Sequence, residues 1–119
     1  MVIIESKVEM DENGKEKEFI LHMMGHAGSA DKGRDIVCAS ASILYYTLAQ
    51  TANVLAANGK LAEDPVIRSE EGNGEVRFKP KAKYRAECAH DYCTIMVGLQ
   101  LLAMKYPLFV QFRKMRSDR

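Results

Sequence analysis

The sequence predicts one α+β domain over residues 1–119, with the order β-β-α-β-β-α-β and two helices packed on one face of a mostly antiparallel sheet. A chain of 119 residues is long enough for one domain and too short for two. Two pairs of segments have strand-like patterns, and a segment with apolar residues at three- and four-residue steps follows each pair. Two amphipathic helices of this kind bury their apolar stripes most simply on one shared sheet.

The first hairpin is predicted from strict alternation and a turn. Residues 2–10 alternate between two faces, one of which carries Val2, Ile4, Ser6, Val8 and Met10. Asn13-Gly14 follows, and both residue types tolerate the positive φ of a tight hairpin turn. The partner strand is expected from about Lys17 to Met24.

A loop with three glycines is expected to join the hairpin to the first helix. It runs from Gly25 to Arg34, and Gly25, Gly28 and Gly33 predict a mobile loop that gates access of a substrate. The helix is predicted to begin with Asp35 as its N-cap and to end near Asn58-Gly59. Its apolar stripe consists of Val37, Ala41, Leu44, Leu48 and Leu55.

The second half of the chain repeats the pattern. A hairpin is predicted over about Val66–Glu70 and Glu75–Tyr84, with its turn at Asn73-Gly74. Pro107 stops the second helix, and Leu108–Phe112 forms a closing strand. The stripe of this helix consists of Ala89, Tyr92, Met96, Leu99, Ala103 and Tyr106.

Composition and charge exclude several classes of protein. With 47% hydrophobic and 28% charged residues, the chain has the balance of a globular rather than a disordered protein. A net charge of +1 gives no global field toward nucleic acid or an anionic membrane. The uncharged stretch Ile36–Gly59 carries too many polar residues for a membrane span. Three cysteines and no secretory signal predict a cytoplasmic protein without a disulfide framework.

The junction between the loop and the first helix carries the candidate chemistry. If Asp35 is the N-cap, Cys38 lies in the first helical turn, where unpaired N–H groups and the helix dipole favour a thiolate. His26, near the start of the loop, is a candidate base if the loop folds back, and Ser42 lies one turn beyond the thiol. The spacing alone leaves open that Cys38 is a small core residue.

The segment Gly25-His26-Ala27, Gly33 and Asp35-Ile36-Val37-Cys38-Ala39, with Ser42 beyond, resembles the signature of the ribosomal-processing cysteine proteases, the Prp family. The resemblance implies that Cys38 is the nucleophile, His26 its base, and Asp35 and Ser42 supporting residues. It also implies a homodimer that removes the apolar N-terminal extension of a large-subunit ribosomal protein, and no cofactor or metal is expected. Ser40 departs from the family, which often has Gly or Ala there.

A small zinc-stabilised binding domain is one alternative. His22, His26 and Cys38 supply three ligand types for such a site. Against this, the alternation of the second strand favours His22 as a partly buried strand residue. A second group, Cys88, His90 and Cys93, points in different directions on a helix and is not expected to bind one metal ion.

A non-catalytic ribosome- or RNA-associated module is another alternative. The predicted strand Arg77–Arg85 places cations at every second position, namely Arg77, Lys79, Lys81, Lys83 and Arg85. Acidic residues on or beside the neighbouring strand offer pairing partners: Glu63, Asp64, Glu70, Glu71 and Glu75. Cross-strand pairing is favoured, and direct nucleic-acid binding is not expected. Pro80 predicts that this is an edge strand.

Overall fold

The computed structural model describes residues 1–25 and 32–116, with only the backbone described for residues 32–35. The strands are β1 (Val2–Met10), β2 (Glu16–Met24), β3 (Val66–Glu70), β4 (Asn73–Phe78) and β5 (Val110–Met115). The helices are α1 (Lys32–Ala57) and α2 (Arg85–Lys105), and a 3₁₀ turn at Ala82–Tyr84 precedes α2. The predicted α+β class and the β-β-α-β-β-α-β order are confirmed.

The five strands form one sheet in the order β3-β4-β2-β1-β5. The neighbouring strands are antiparallel except β1 and β5, which run parallel with Val2 opposite Val110. The sheet is therefore mostly antiparallel, as predicted. No helix among the described residues is long and apolar enough to cross a membrane.

The core lies between the two helices and one face of the sheet. Phe19, Phe78 and Tyr92 pack together there, with ring centroids 5.2–6.2 Å apart. The Tyr92 hydroxyl donates to the Ile20 carbonyl oxygen and lies 2.7 Å from the Ser6 hydroxyl. Both of these buried hydroxyls therefore have a hydrogen-bond partner. Burial raises the pKa of Tyr92 to about 12.

The first helix begins earlier than the sequence predicts. α1 starts at Lys32, so Asp35 lies inside the helix and is not its N-cap. Gly33 also belongs to the first turn of α1 and not to the loop, which corrects its predicted role as a loop joint. Lys32 and Arg34 are good helix formers, and they offset the low helix propensity of Gly33 between them.

The second hairpin turns two residues before the predicted position. Glu70 pairs with Asn73, so the turn is Glu71-Gly72, and Gly72 has a φ of 73°. Asn73-Gly74 resembles a turn in sequence, but it begins β4 because Gly72 already supplies the positive φ that the reversal needs. A two-residue loop is enough to join these antiparallel strands.

The predicted basic strand Arg77–Arg85 is wrong. β4 ends at Phe78, and Pro80 makes only an isolated bridge with Leu61. Proline has no N–H to donate to a ladder, so the strand ends where it approaches Pro80. β4 is also an interior strand, and the edge strand of this hairpin is β3. The closing strand β5 begins two residues later than predicted, at Val110, and extends to Met115.

Candidate active site

Cys38 is the seventh residue of α1 and lies beyond its first turn. Its side chain is half-buried and packs against the core. The prediction that Cys38 lies in the first helical turn is therefore wrong. The favourable effect of a helix N-terminus on a thiolate is confined to that turn, so the argument from the helix dipole does not apply to Cys38.

A cleft of about 110 Å³ lies between α1 and the turn that joins β3 to β4. Ser42 lines this cleft, is exposed, and follows Cys38 by one helical turn on the same face of α1. The volume is smaller than that of a typical small-molecule pocket and suits about one side chain of a peptide. The lining residues are Met23, Gly25, Ser42, Tyr45, Tyr46, Ser69, Glu70, Gly72, Asn73 and Gly74.

Gly25 fixes the point at which the chain leaves β2 beside this cleft. Its φ is 90°, and its N–H donates to the Gly72 carbonyl oxygen at 2.9 Å. A Cβ at this position would overlap the carbonyl oxygen of Met1. Only glycine fits both the dihedral angle and the space. His26 follows Gly25 directly in the sequence. His26, Gly28 and most of the predicted gating loop lie outside the described residues.

Sequence reasoning missed Tyr45, which is 4% exposed and holds the cleft wall. Its hydroxyl donates to the Arg68 carbonyl oxygen at 2.7 Å and lies 2.9 Å from the Ser69 hydroxyl. The ring lies against the backbone of Gly74. The only sequence signal was that Tyr45 follows Cys38 by seven residues, or two helical turns.

The zinc alternative loses one of its ligands. His22 lies between two core-facing residues of β2, so its side chain projects from the sheet face opposite the helices. There Nε2 lies 2.7 Å from Oδ1 of Asn73, and Nδ1 lies 3.4 Å from a carboxylate oxygen of Glu5. Cys38 is on the helix side. In the described part of the chain, no three ligand-type side chains are grouped for a metal ion.

The cysteines of α2 are separated as predicted. Cys88 is fully buried, and Cys93 is exposed. Burial and the neighbouring carboxylates of Glu87 and Asp91 raise the pKa of Cys88 to about 11. Cys88 is therefore a core residue with a neutral thiol, and neither thiol lines the cleft beside α1.

Acidic side chains pair with the cations proposed for RNA binding. Arg77 contacts Glu18 at 2.8 Å and Glu75 at 3.3 Å, and Lys79 contacts Glu63 at 2.9 Å. Pairing of Arg77 and Lys79 with acidic side chains is confirmed, with Glu18 as a partner that was not predicted. With Lys79 beyond the end of β4, a continuous basic strand does not form.

The sequence matches one protein family. The model of the family described as cysteine protease Prp matches residues 3–111. Among curated proteins, no match to the sequence was found.

Solved structures share the fold. The essential ribosomal processing protease Prp from S. aureus, in complex with a substrate peptide, is 22% identical with a TM-score of 0.66, over 97% of this chain and 100% of that chain. The protein SMU.848 from Streptococcus mutans is 23% identical with a TM-score of 0.68, over 98% and 96% of the two chains.

Proposed function

The chain belongs to the cysteine protease Prp family and is a cysteine protease, and we propose that it removes the N-terminal extension of a large-subunit ribosomal-protein precursor. Cys38 is the proposed nucleophile and His26 the proposed base. The observation that carries the proposal is the position of Cys38 one helical turn before Ser42, which lines a cleft with room for about one peptide side chain, within a chain matched by this family over residues 3–111. The S. aureus protein of the same fold is described with a substrate peptide.

The proposed chemistry is acyl transfer through the sulfur. His26 takes the proton of the Cys38 thiol, and the sulfur attacks the carbonyl carbon of the scissile bond. His26 then returns the proton to the leaving amine, and a thioester remains on Cys38. Water, deprotonated by His26, hydrolyses the thioester and regenerates the thiol. Ser42 lies beside this path and offers a hydroxyl to the bound peptide.

Cleavage of a synthetic peptide tests the proposal. The peptide carries the apolar N-terminal extension of the ribosomal protein from the same genome, and mass spectrometry identifies the products. We expect one cut by the wild-type chain, none by Cys38→Ala, and a large loss with His26→Ala. Cys93→Ser is the matched control because this thiol is exposed on α2. Cleavage by Cys38→Ala would contradict the assignment of Cys38 as nucleophile. Inhibition of the wild type by a chelator would contradict it as well.

We also propose that the protein is a homodimer through the outer faces of its helices. Three exposed apolar residues lie on one face of α1, at steps of seven and eleven residues, and three more lie on one face of α2. They are Ile36, Ile43 and Val54 on α1, and Val97, Leu101 and Met104 on α2. Apolar stripes of this kind are typical of interfaces between subunits.

Light scattering after size-exclusion chromatography tests the dimer. We expect the mass of two chains for the wild type and of one chain for the double variant Ile43→Glu/Leu101→Glu. Val66→Glu adds the same charge at an exposed position of the edge strand β3 and should remain dimeric. A monomeric wild type at micromolar concentration would refute this assembly.

A further inference from the structure

We propose that Tyr45 is a positioning residue that fixes the turn between β3 and β4 as one wall of the peptide-binding cleft. This inference rests on the proposed function, because it assigns the cleft lined by Ser42, one helical turn beyond Cys38, to the substrate peptide. Tyr45 lines the cleft with little exposed surface, since it is 4% exposed, and it acts through the residues it holds.

Tyr45 joins α1 to both strands of the hairpin. Its hydroxyl donates to the carbonyl oxygen of Arg68 on β3, accepts from the Ser69 hydroxyl, and lies 3.3 Å from the carbonyl oxygen of Glu75 on β4. Arg68 and Glu75 are opposite one another in the ladder. A hydrogen bond to the backbone at this pair therefore fixes the distance from α1 to the hairpin three residues before the turn.

Gly74 makes this approach possible. A Cβ on Gly74 would lie 2.8 Å from the Tyr45 ring, which is closer than side chains pack. The glycine therefore lets the hydroxyl end of the ring approach β4, and the ring fills the space that a side chain would take. Neither residue is part of a turn, so the Tyr45–Gly74 contact accounts for a glycine inside a strand.

The turn held by Tyr45 also holds the start of the loop that contains His26. Ser69, Glu70 and Gly72 line the cleft, and the Gly72 carbonyl oxygen accepts the N–H of Gly25. One series of contacts therefore runs from the helix of Cys38, through Tyr45 and the hairpin, to the residue before His26. A shift of the hairpin changes the width of the cleft while Cys38 stays on α1.

Removing the hydroxyl should weaken peptide binding without slowing the chemical step. Tyr45→Phe keeps the ring against Gly74 but loses the contacts to Arg68 and Ser69. We expect KM for the extension peptide to rise roughly three- to tenfold, as for the loss of a hydrogen bond, with kcat unchanged within about twofold. Gly74→Ala, which keeps the hydroxyl but pushes the ring away, should raise KM in the same way.

Tyr106→Phe is the matched control, because its hydroxyl lies far along the chain at the end of α2 and does not line the cleft. It should leave KM unchanged. Amide hydrogen exchange of residues 69–75 supplies a second readout, and it should accelerate in Tyr45→Phe but not in Tyr106→Phe. Ser69→Ala, a milder change of the same contact, keeps the test informative if Tyr45→Phe does not fold.

Failure of this inference differs from failure of the proposed function. If the wild type cuts the peptide and Tyr45→Phe has an unchanged KM, or a lowered kcat at unchanged KM, the positioning role is refuted. If the wild type does not cut, the Kd of the peptide for Cys38→Ala and for Cys38→Ala/Tyr45→Phe decides instead. A three- to tenfold weaker Kd in the double variant supports the role. An equal Kd, or no binding to either protein, overturns it.

Discussion

The two helices pack side by side on one face of the sheet, and Cys38 of α1 and Cys88 of α2 lie in different environments. Cys88 on α2 is fully buried in the core that contains the packed rings of Phe19, Phe78 and Tyr92, and the hydroxyls of Ser6 and Tyr92 are hydrogen-bonded to each other there. On α1, a cleft lined by Ser42 lies one helical turn beyond Cys38, and Gly72 and Gly74 of the facing hairpin line it as well. The difference teaches that the neighbours of a thiol, rather than its helix, decide whether it can meet a substrate.

The largest expected effect separates the two thiols by activity. Cys38→Ala should reduce cleavage of the extension peptide by at least about a thousandfold, because the proposed nucleophile is lost. Cys88→Ala should leave cleavage intact but lower the free energy of unfolding by about 1 kcal/mol, because it empties part of a filled core. Peptide cleavage and urea titration measure the two effects. An equal loss of cleavage in Cys38→Ala and Cys88→Ala, with equal free energies of unfolding, would contradict this difference between the two thiols.

Gly25→Ala should be the most destabilising change near the cleft. Its Cβ would overlap Met1, and its φ of 90° is unfavourable for alanine, so we expect a loss of about 2–4 kcal/mol. Gly14→Ala is the control, since Gly14 has a φ of 73° with open space around it and should cost only about 1 kcal/mol. Thermal unfolding measures both. Equal losses would show that the clash with Met1 is relieved by movement of the chain.

Because Tyr92 is buried in the core, the free energy of unfolding should fall at alkaline pH. The pKa of Tyr92 is about 12 in the folded chain and 10.0 in its ordinary state, so the neutral hydroxyl stabilises the fold below pH 10. This stability is lost as pH rises from 10 through 12, by about 2 to 3 kcal/mol in all. Urea titrations across this range should show the loss in the wild type. A curve just as steep in Tyr92→Phe would assign the loss to other groups.

Alkylation rates sharpen the contrast between the thiols with the smallest perturbation. Iodoacetamide should modify Cys88 slowest, because it is buried and its pKa is raised to about 11. Cys38 should react faster than the exposed Cys93 only if His26 activates it, and this advantage should vanish in His26→Ala. Mass spectrometry of the labelled peptides gives the order. Labelling of Cys88 at the rate of Cys93 would disprove the closed core around α2.

Local patterns predicted most of the fold, because the elements here follow their own periodicity. The alternation of β1 and the stripe of α1 that contains Val37 and Leu48 are both buried as expected. The helix start was missed because Gly33 lies inside a helical turn. The hairpin turn was missed because two possible turn sequences, Glu71-Gly72 and Asn73-Gly74, stand side by side and only strand pairing chooses between them.

The candidate site was predicted only where it is local. Gly25 and Cys38 belong to one short motif, and Ser42 follows at helical spacing. Tyr45, in contrast, meets Ser69 and Gly74 across more than twenty residues, so no pattern within α1 or within the hairpin reveals the contact. Pairing of Arg77 with Glu18 is equally non-local. Contacts of this kind exist only once the sheet order is known.

The parallel pairing of β1 with β5 sets the order in which the domain is completed. Val2 meets Val110 across 108 positions of sequence, so this ladder closes a very long loop and is expected to form late in folding. During synthesis, β1 has one side unpaired until β5, more than 100 residues later in the sequence, has left the ribosome. Until then, the exposed edge of β1 is a surface that a chaperone can protect or a second nascent chain can capture.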